Sequence, residues 1–346
     1  MTLAVILSAP STTGSDSWLM RAFHHIPYLS GGPTSIFSPQ ATPAHEIYGL
    51  SIFVLLITAA IFLVVAGVLF YALVRFRHRG GDSETEPTQL YGSRQIEVAW
   101  TVVPILIVVV LFLTTARIIS VTERSRKPAN ALEVVVIGHQ YWWEYRYPKL
   151  GIVTANEMHV PVSDPKAPTP TYMTMTSADV DHSWWVPKLA GKMDLIPNKV
   201  NVMWIDPTKP GLYLGQCAQY CGMEHAMMLI RVYVDTPEDF AKWVANQKLP
   251  AQIDATAAEG KKVFEHTACV NCHAVKGTVA VGSFGPDLTH LASRDTIASG
   301  VEKNTPKTLR QWIDNPDLTK PGCLMPKMHL NNRELDAITA YMATLR

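Results

Sequence analysis

Four side chains in one short segment have the types and spacing to hold a soft metal. Within GQCAQYCGMEHAMMLIRVYV, Cys217, Cys221, His225 and Met228 follow a Cys-x3-Cys-x3-His-x2-Met pattern. Two thiolates, an imidazole and a thioether together suit copper. A blue-copper loop needs one Cys, one His and one Met, and a second thiolate lets two sulfurs bridge two copper ions. Such a pair shares one unpaired electron, which spreads the charge change of electron transfer and keeps reorganisation small. A further imidazole is needed, and His182 in DVDHSWWVP is the best upstream candidate. A second motif lies further along the chain: Cys269-Val270-Asn271-Cys272-His273 is the Cys-x-x-Cys-His signature of c-type haem attachment. Its thiols add to the haem vinyl groups and the neighbouring imidazole ligates the iron, so all three must come from about one helical turn.

Blander readings compete with both motifs. Cys-x3-Cys alone describes two buried thiols just as well. Zinc is a further competitor, but structural zinc rarely recruits Met, and its ligands usually come as two close pairs. A zinc half-site at Cys269 and Cys272 would want another pair of suitable spacing, and none follows. Cys323, the last of 5 cysteines, has no partner and reads as a small buried residue. His266, His290 and His329 read as solvated or structural.

These motifs need elements to position them, and 346 residues suggest about two folded units. Lys plus Arg is 30 against 29 for Asp plus Glu, a net charge of +1, so no basic excess is available to grip nucleic acid. The hydrophobic share of 48% argues against disorder. Ile47 to Val74 and Val98 to Ala116 carry no charge; at roughly 1.5 Å per residue, each is long enough to cross a bilayer as a helix. Pro104 falls early in the second, where a missing donor or a modest kink is tolerable. The positive-inside rule ties between Arg75, Arg77, Arg79 and Arg94 on one side and Arg117, Arg124, Arg126 and Lys127 on the other. Only Arg21 precedes the spans among basic residues, which favours an outside amino terminus; the apolar Leu3 to Leu7 lacks the basic region of a signal peptide.

From Leu132 to Val234 the runs LEVVVIG, QYWWEYRY, TYMTMTS, KVNVMWI, GLYLGQC and MLIRVYV predict strands of a sandwich or Greek-key barrel. PEDFAKWVANQKLP predicts a closing helix and PAQIDATAAEG a linker. The runs AAEGKKVFEHTA, TPKTLRQWIDN and NRELDAITAYMATL have helical periodicity. The expected division is 1–45 ahead of the spans, 46–120 as a helical hairpin, 130–247 as the β-domain, 248–256 as linker and 257–346 as a small helical domain.

Between about Ile36 and Ala245 a wider pattern accompanies the sulfurs: SIFSPQATPAHEI, EVAWTVVP, GHQYWWEYRY, DVDHSWWVPKLAGKMDLIP and QCAQYCGMEHAMM. In these segments the chain resembles subunit II of a haem–copper cytochrome c oxidase, which carries the dinuclear copper A centre in a cupredoxin-like β-sandwich. The resemblance implies His182, Cys217, Cys221, His225 and Met228 as copper ligands, with the backbone carbonyl of Gln219 completing the set. Met227 is the neighbouring alternative to Met228. Many relatives have Glu where Gln219 stands, helping to hold magnesium at the interface with subunit I. An amide offers a carbonyl oxygen without charge, which argues against a firm magnesium site. The aromatic that takes up the electron, often Trp, is Tyr141 here, with Trp142 and Trp143 beside it, so the route is expected to shift. Asp179 and Asp181 read as surface carboxylates, with docking or support of His182 as the family's alternative. Glu97 matches the mouth of a proton pathway shared with subunit I, although a carboxylate at a membrane boundary is more often a solvated helix end.

The segments GPDLTHLASR and PGCLMPKMH resemble the lower half of a small all-α class I cytochrome c. That likeness implies Met325 as sixth iron ligand, with Met328 as the alternative, and a Pro286 carbonyl that accepts the His273 ring proton. A Met ligand raises the reduction potential, as a high-potential respiratory carrier requires. Covalent haem is attached outside the cytoplasm, which implies a bacterial inner-membrane chain with both termini and both redox domains periplasmic and the Arg75–Arg94 loop cytoplasmic. The fusion resembles caa-type terminal oxidases. It implies a relay from a cytochrome c-like or other periplasmic donor, through haem c and copper A, to subunit I, where dioxygen is reduced to water. The implied partners are subunit I, other oxidase subunits and the lipid bilayer. The alternatives are the copper A subunit of a nitric oxide reductase, which differs in its partner subunit, and a copper assembly or storage protein, which would need no covalent haem.

Overall fold

Two helices too apolar to face water come first in the computed structural model, which describes residues 32–77, 89, 91–123 and 127–346. Helix α1 (Thr42–Arg75) opens with Pro43 in its first turn, where its fixed φ suits a helix start. Helix α2 (Arg94–Glu123) contains Pro104. Phe62, Leu63 and Phe112 are each 68% exposed, and apolar side chains stand uncovered along most of both helices, as lipid-facing helices require. Both helices overrun the uncharged stretches and the expected 46–120 boundary, since polar residues are tolerated where helix ends leave the hydrocarbon. Leu3 to Leu7, Arg21, Arg79, Arg124 and Arg126 lie outside the described residues.

Both helices are tied to the domain that follows. Thr42 donates its backbone N–H (2.7 Å) and its hydroxyl (2.6 Å) to the Asp206 carboxylate. At the other end of the hairpin's sequence, the Trp204 indole N–H donates to the Thr122 carbonyl at 2.8 Å. The start of α1 and the end of α2 therefore meet the same domain.

That domain is a sandwich of two five-stranded sheets. One sheet contains β1 (Leu132–His139), β2 (Trp142–Tyr147), β3 (Ile152–Ala155), β5 (Thr171–Ser177) and β8 (Asn201–Ile205), in the order β3-β2-β1-β5-β8. The other contains β4 (Glu157–Pro161), β6 (His182–Trp185), β7 (Met193–Leu195), β9 (Gly211–Cys217) and β10 (Leu229–Asp235), in the order β4-β10-β9-β6-β7. Strands β1 and β5 alternate buried and half-buried residues, the period-two pattern of a strand with one face in a core. Trp143, Tyr145, Met158, Met173 and Trp184 fill the space between the sheets. Strands β3, β4, β6 and β7 go beyond the six runs read from the sequence, because strands this short show too little alternation to stand out. Helix α3 (Pro237–Lys248), capped by Thr236, packs Trp243 on His159, whose other face stacks on Tyr233.

The carboxyl-terminal domain is mainly helical, with α4 (Ala258–His266), α5 (Cys269–Cys272), α6 (Pro306–Asp314) and α7 (Asn332–Met342) around a short ladder of β11 (Thr296–Ile297) and β12 (Glu302–Lys303). Helices α4 and α7 cross so closely that a Cβ on Gly260 would lie 2.0 Å from the Ala337 carbonyl oxygen. Phe264, Leu309, Ile338 and Tyr341 form its core. Capping boxes at Thr305/Thr308 and Asn331/Glu334 start α6 and α7.

Candidate metal centres

Strand ends bring the soft donors together. His182 opens β6 and Cys217 closes β9, and the pairing of β9 with β10 holds both ends of the loop that carries Cys221, His225 and Met228. The two sulfurs, Cys217 Sγ and Cys221 Sγ, lie 3.9 Å apart. His182 Nδ1 is 3.9 Å from Cys217 Sγ, and His225 Nδ1 is 3.7 Å from Cys221 Sγ. Met228 Sδ is 4.0 Å from Cys221 Sγ, and the Gln219 carbonyl oxygen is 3.2 Å from Cys217 Sγ. With metal–sulfur bonds of roughly 2.3 Å, two sulfurs sharing an ion can stand up to about 4.6 Å apart, so the spacing fits shared coordination. The donor set of two thiolates, two imidazoles, a thioether and a carbonyl fits copper better than zinc. Met228 is fully buried at the cluster, whereas Met227 is half-buried within the 3-10 turn His225–Met227.

The ring of His182 is held from behind. Its Nε2 lies 2.8 Å from Asp179 Oδ1, and the same carboxylate accepts the backbone N–H groups of Gln140 and Val180, each at 2.6 Å. Asp179, read from sequence as a surface carboxylate, thus supports a ligand candidate; Asp181 is exposed. Gly138 lies against the same ring, and a Cβ there would come within 2.8 Å of His182 Cδ2. Burial alone would lower the His182 pKa, but Asp179 and Cys217 outweigh it and raise the value. The Cys221 S–H beside Cys217 and the facing His182 push the Cys217 thiol down, against burial. Cys221 is pushed up, first by Cys217 and then by burial. The two thiols therefore titrate as an interacting pair, and each must lose its proton to ligate a cation.

A second site lies in the helical domain. Cys269, Cys272 and His273 share a single helical turn and its exit, and line one cavity with Met325 and Met328. His273 Nδ1 donates to the Pro286 carbonyl at 2.8 Å, which leaves Nε2 as the free ligand atom. Burial lowers the His273 pKa, opposed by that carbonyl, so the ring is neutral and able to ligate. Gly285 gives the ring its space, since a Cβ there would lie 2.6 Å from His273 Cε1. Leu291, Leu309 and Ile338 make the cavity apolar, as a haem macrocycle requires. Cys323 is half-buried on the cavity wall, its thiol toward the Met325 carbonyl.

The wall of that cavity is completed by the β-domain, through Gln140, Tyr141, Trp142, Asn156 and Glu224. Of the aromatics considered for electron uptake, Tyr141 and Trp142 therefore line the same cavity as Cys269, Cys272 and His273. Trp143 belongs to the sandwich core, its ring centroid 6.0 Å from that of His182. The Tyr141 hydroxyl accepts the Met223 N–H, inside the metal loop, at 3.2 Å. Trp142 stacks on His139 at 4.2 Å, and the His139 Nε2 meets Glu144 at 3.0 Å. Glu97 is exposed in the first turn of α2, at the opposite end of that helix from Thr122, which meets the β-domain. Sequence reasoning missed Gly138, Glu144, Glu224 and Lys320. Only Gly138 carried a local signal, as a glycine inside a strand, which often marks close approach of another group.

Comparison with known proteins covers most of the chain. The model of the cytochrome c oxidase subunit II transmembrane domain matches residues 34–118, that of its periplasmic domain residues 152–234, and that of cytochrome c residues 257–346. The chain is 31% identical over 315 residues to cytochrome c oxidase subunit 2 of Alkalihalophilus pseudofirmus, covering 89% of this chain and 90% of that one. It is 30% identical over 346 residues to the Bacillus subtilis protein of the same name, covering 93% and 95%. A solved periplasmic domain of subunit II of cytochrome oxidase from Bradyrhizobium japonicum is 31% identical, covering 36% of this chain and 97% of that one, with a TM-score of 0.33.

Proposed function

The chain belongs to the cytochrome c oxidase subunit II family, and from that premise we propose an assignment of its redox centres, their order and their orientation. It is the electron-accepting subunit of a haem–copper terminal oxidase, fused to a cytochrome c domain. His182, Cys217, Cys221, His225, Met228 and the Gln219 carbonyl hold a dinuclear copper A centre. Cys269 and Cys272 would hold haem c covalently, with His273 and Met325 as the residues that would ligate its iron. When bound, these groups supply one-electron redox chemistry.

The chain's own residues do the rest. Asp179 accepts a hydrogen bond from the His182 Nε2–H and leaves Nδ1 toward the sulfurs, and the Pro286 carbonyl accepts one from the His273 Nδ1–H and leaves Nε2 free. Buried sulfurs and a closely packed sandwich exclude water, which limits reorganisation when charge arrives. Tyr141 lines the haem cavity and touches the metal loop through Met223, on the route from one to the other, with Trp142 beside it on the cavity wall. The order is then an external cytochrome c-like donor, haem c, copper A, and the catalytic subunit that reduces dioxygen to water. Both redox domains lie on the periplasmic side of a bacterial inner membrane, with the α1–α2 connection cytoplasmic. Glu97, on that cytoplasmic side, stands where protons would be drawn toward the partner subunit.

The observation that carries this reading is the 3.9 Å separation of Cys217 Sγ and Cys221 Sγ among imidazole and thioether donors. The test is metal and haem analysis of the purified oxidase, with oxygen uptake on ascorbate-reduced cytochrome c. Two coppers with a shared electron, covalent haem and oxygen uptake lost on deleting the chain are expected. A single copper per chain, or nitric oxide consumption without oxygen uptake, would overturn it.

A further inference from the structure

The helical domain hangs from a linker, and linkers alone leave domain position loose. Two buried carboxylates of the β-domain fix it instead. Glu157 on β4, 3% exposed, accepts the N–H groups of Asp295 (3.1 Å) and Thr296 (2.9 Å) and the Thr296 hydroxyl (2.6 Å). Next to it, the Tyr233 hydroxyl donates to Asp295 at 2.6 Å. At the opposite edge of the contact, Lys320 is also 3% exposed, with its Nζ 3.1 Å from Glu224 Oε2. The same ammonium donates to the Tyr141 carbonyl at 3.0 Å. Beside this pair, Met223 packs on Gly322, where a Cβ would lie 3.0 Å from Met223 Cε.

The position of this pair in the chain gives it meaning. Glu224 lies between Cys221 and His225 in the metal loop, and Lys320 opens the loop that leads to Met325. Among the described residues, Lys320 is the cation that meets the buried Glu224 carboxylate. Burying two charges is costly, and an apolar pair of equal volume often serves stability as well, so such a pair is better suited to specifying geometry.

We propose that Lys320 is a positioning residue for electron transfer between the two centres. Bound to Glu224 and the Tyr141 carbonyl, it locks the Met325 loop against the metal loop, and the Glu157–Thr296 contact holds the opposite edge of the seat. The inference rests on the assignment of haem and copper made above. It also means that this chain's own cytochrome domain covers the β-domain face around Tyr141, so external donors deliver to the haem. With both centres loaded, each transfer would move one electron from the group held by His273 to the one held by Cys217 and Cys221, with no bond made or broken.

The test uses the purified, fully loaded oxidase. A pulse of photochemical reductant reduces haem c, and the near-infrared copper band reports arrival of the electron. Lys320→Met strands the Glu224 charge, and the interdomain rate is expected to fall about tenfold or more, while the Met–iron band and the copper paramagnetic resonance stay unchanged. Lys320→Met with Glu224→Gln removes the stranded charge and is expected to be faster than Lys320→Met alone. Glu157→Gln, outside both metal loops, loosens the other edge and is also expected to slow transfer, and it carries the test if Lys320→Met fails to assemble. A wild-type rate in an assembled Lys320→Met oxidase would overturn the proposal, as would a wild-type rate in Glu157→Gln where Lys320→Met does not assemble. So would a double variant as slow as Lys320→Met, or a loss of rate seen only together with loss of either spectroscopic signature. A wild-type oxidase without haem or copper would instead overturn the assignment on which it rests.

Discussion

Asp179 Oδ1 lies 2.8 Å from His182 Nε2, on the side of the ring away from Cys217. A neutral imidazole has one N–H, and the carboxylate claims it, so the nitrogen facing the sulfurs carries the lone pair. Asp179 is itself anchored by two backbone N–H groups, from Gln140 and Val180. The tautomer of a buried ligand candidate is thus set by the strand end and turn around it.

Asp179→Ala is expected to weaken copper binding by about 10–100-fold, the usual effect of removing such a support. Copper retained per chain against a competing chelator measures this. Wild-type retention would mean that packing alone orients the ring.

Gly138 packs against the same ring. A Cβ at this position would meet His182 Cδ2 at 2.8 Å, and the Gly138 carbonyl is engaged by the Ala178 N–H, so the backbone has little room to retreat. Gly138→Ala is expected to cost about 1–3 kcal/mol in stability, as overpacking does, and to displace His182. Denaturation of the purified protein reads the first effect and the copper spectrum the second.

What could be seen in the sequence was what is close in sequence. Cys217, Cys221, His225 and Met228 announce themselves because one loop carries all four, and Cys269, Cys272 and His273 because one helical turn does. Long uncharged runs exposed α1 and α2 in the same way. Glu224 and Lys320 stayed invisible because a charged residue taken singly reads as solvated surface, and only the folded contact turns the two into a buried pair. The same holds for Glu157 and Thr296, 139 positions apart. Asp179 is only three residues from His182, yet its role depends on which way the ring turns, and that is a property of the β6 end.

The two methionines of the haem loop can be separated by one experiment. Both line the cavity, and Met-Pro at Met325 is the position favoured by the family resemblance. Met325→Leu is expected to abolish the Met–iron charge-transfer band and lower the haem potential, whereas Met328→Leu retains both. The reverse outcome would move the ligand to Met328.

Acid should loosen the aromatic wall through Glu144. This carboxylate on β2 is buried and meets His139 Nε2 at 3.0 Å and Arg146 Nε on its other oxygen. Burial alone would raise its pKa, but His139 and Arg146 outweigh burial and hold it below the usual carboxylate range. The native state therefore binds this proton less readily than the unfolded chain, so the stabilisation is present above the unfolded pKa of about 4.3 and is lost as pH falls through the depressed folded value. Glu144→Gln is expected to destabilise the protein by about 1–3 kcal/mol at neutral pH, with the two stability curves converging in acid. Because His139 stacks on Trp142, which faces the haem cavity, the variant should also perturb Trp142 fluorescence before the sandwich unfolds. A stability difference that stays constant from neutral pH into the acid range would show that Glu144 acts through its shape alone and that its charge contributes nothing.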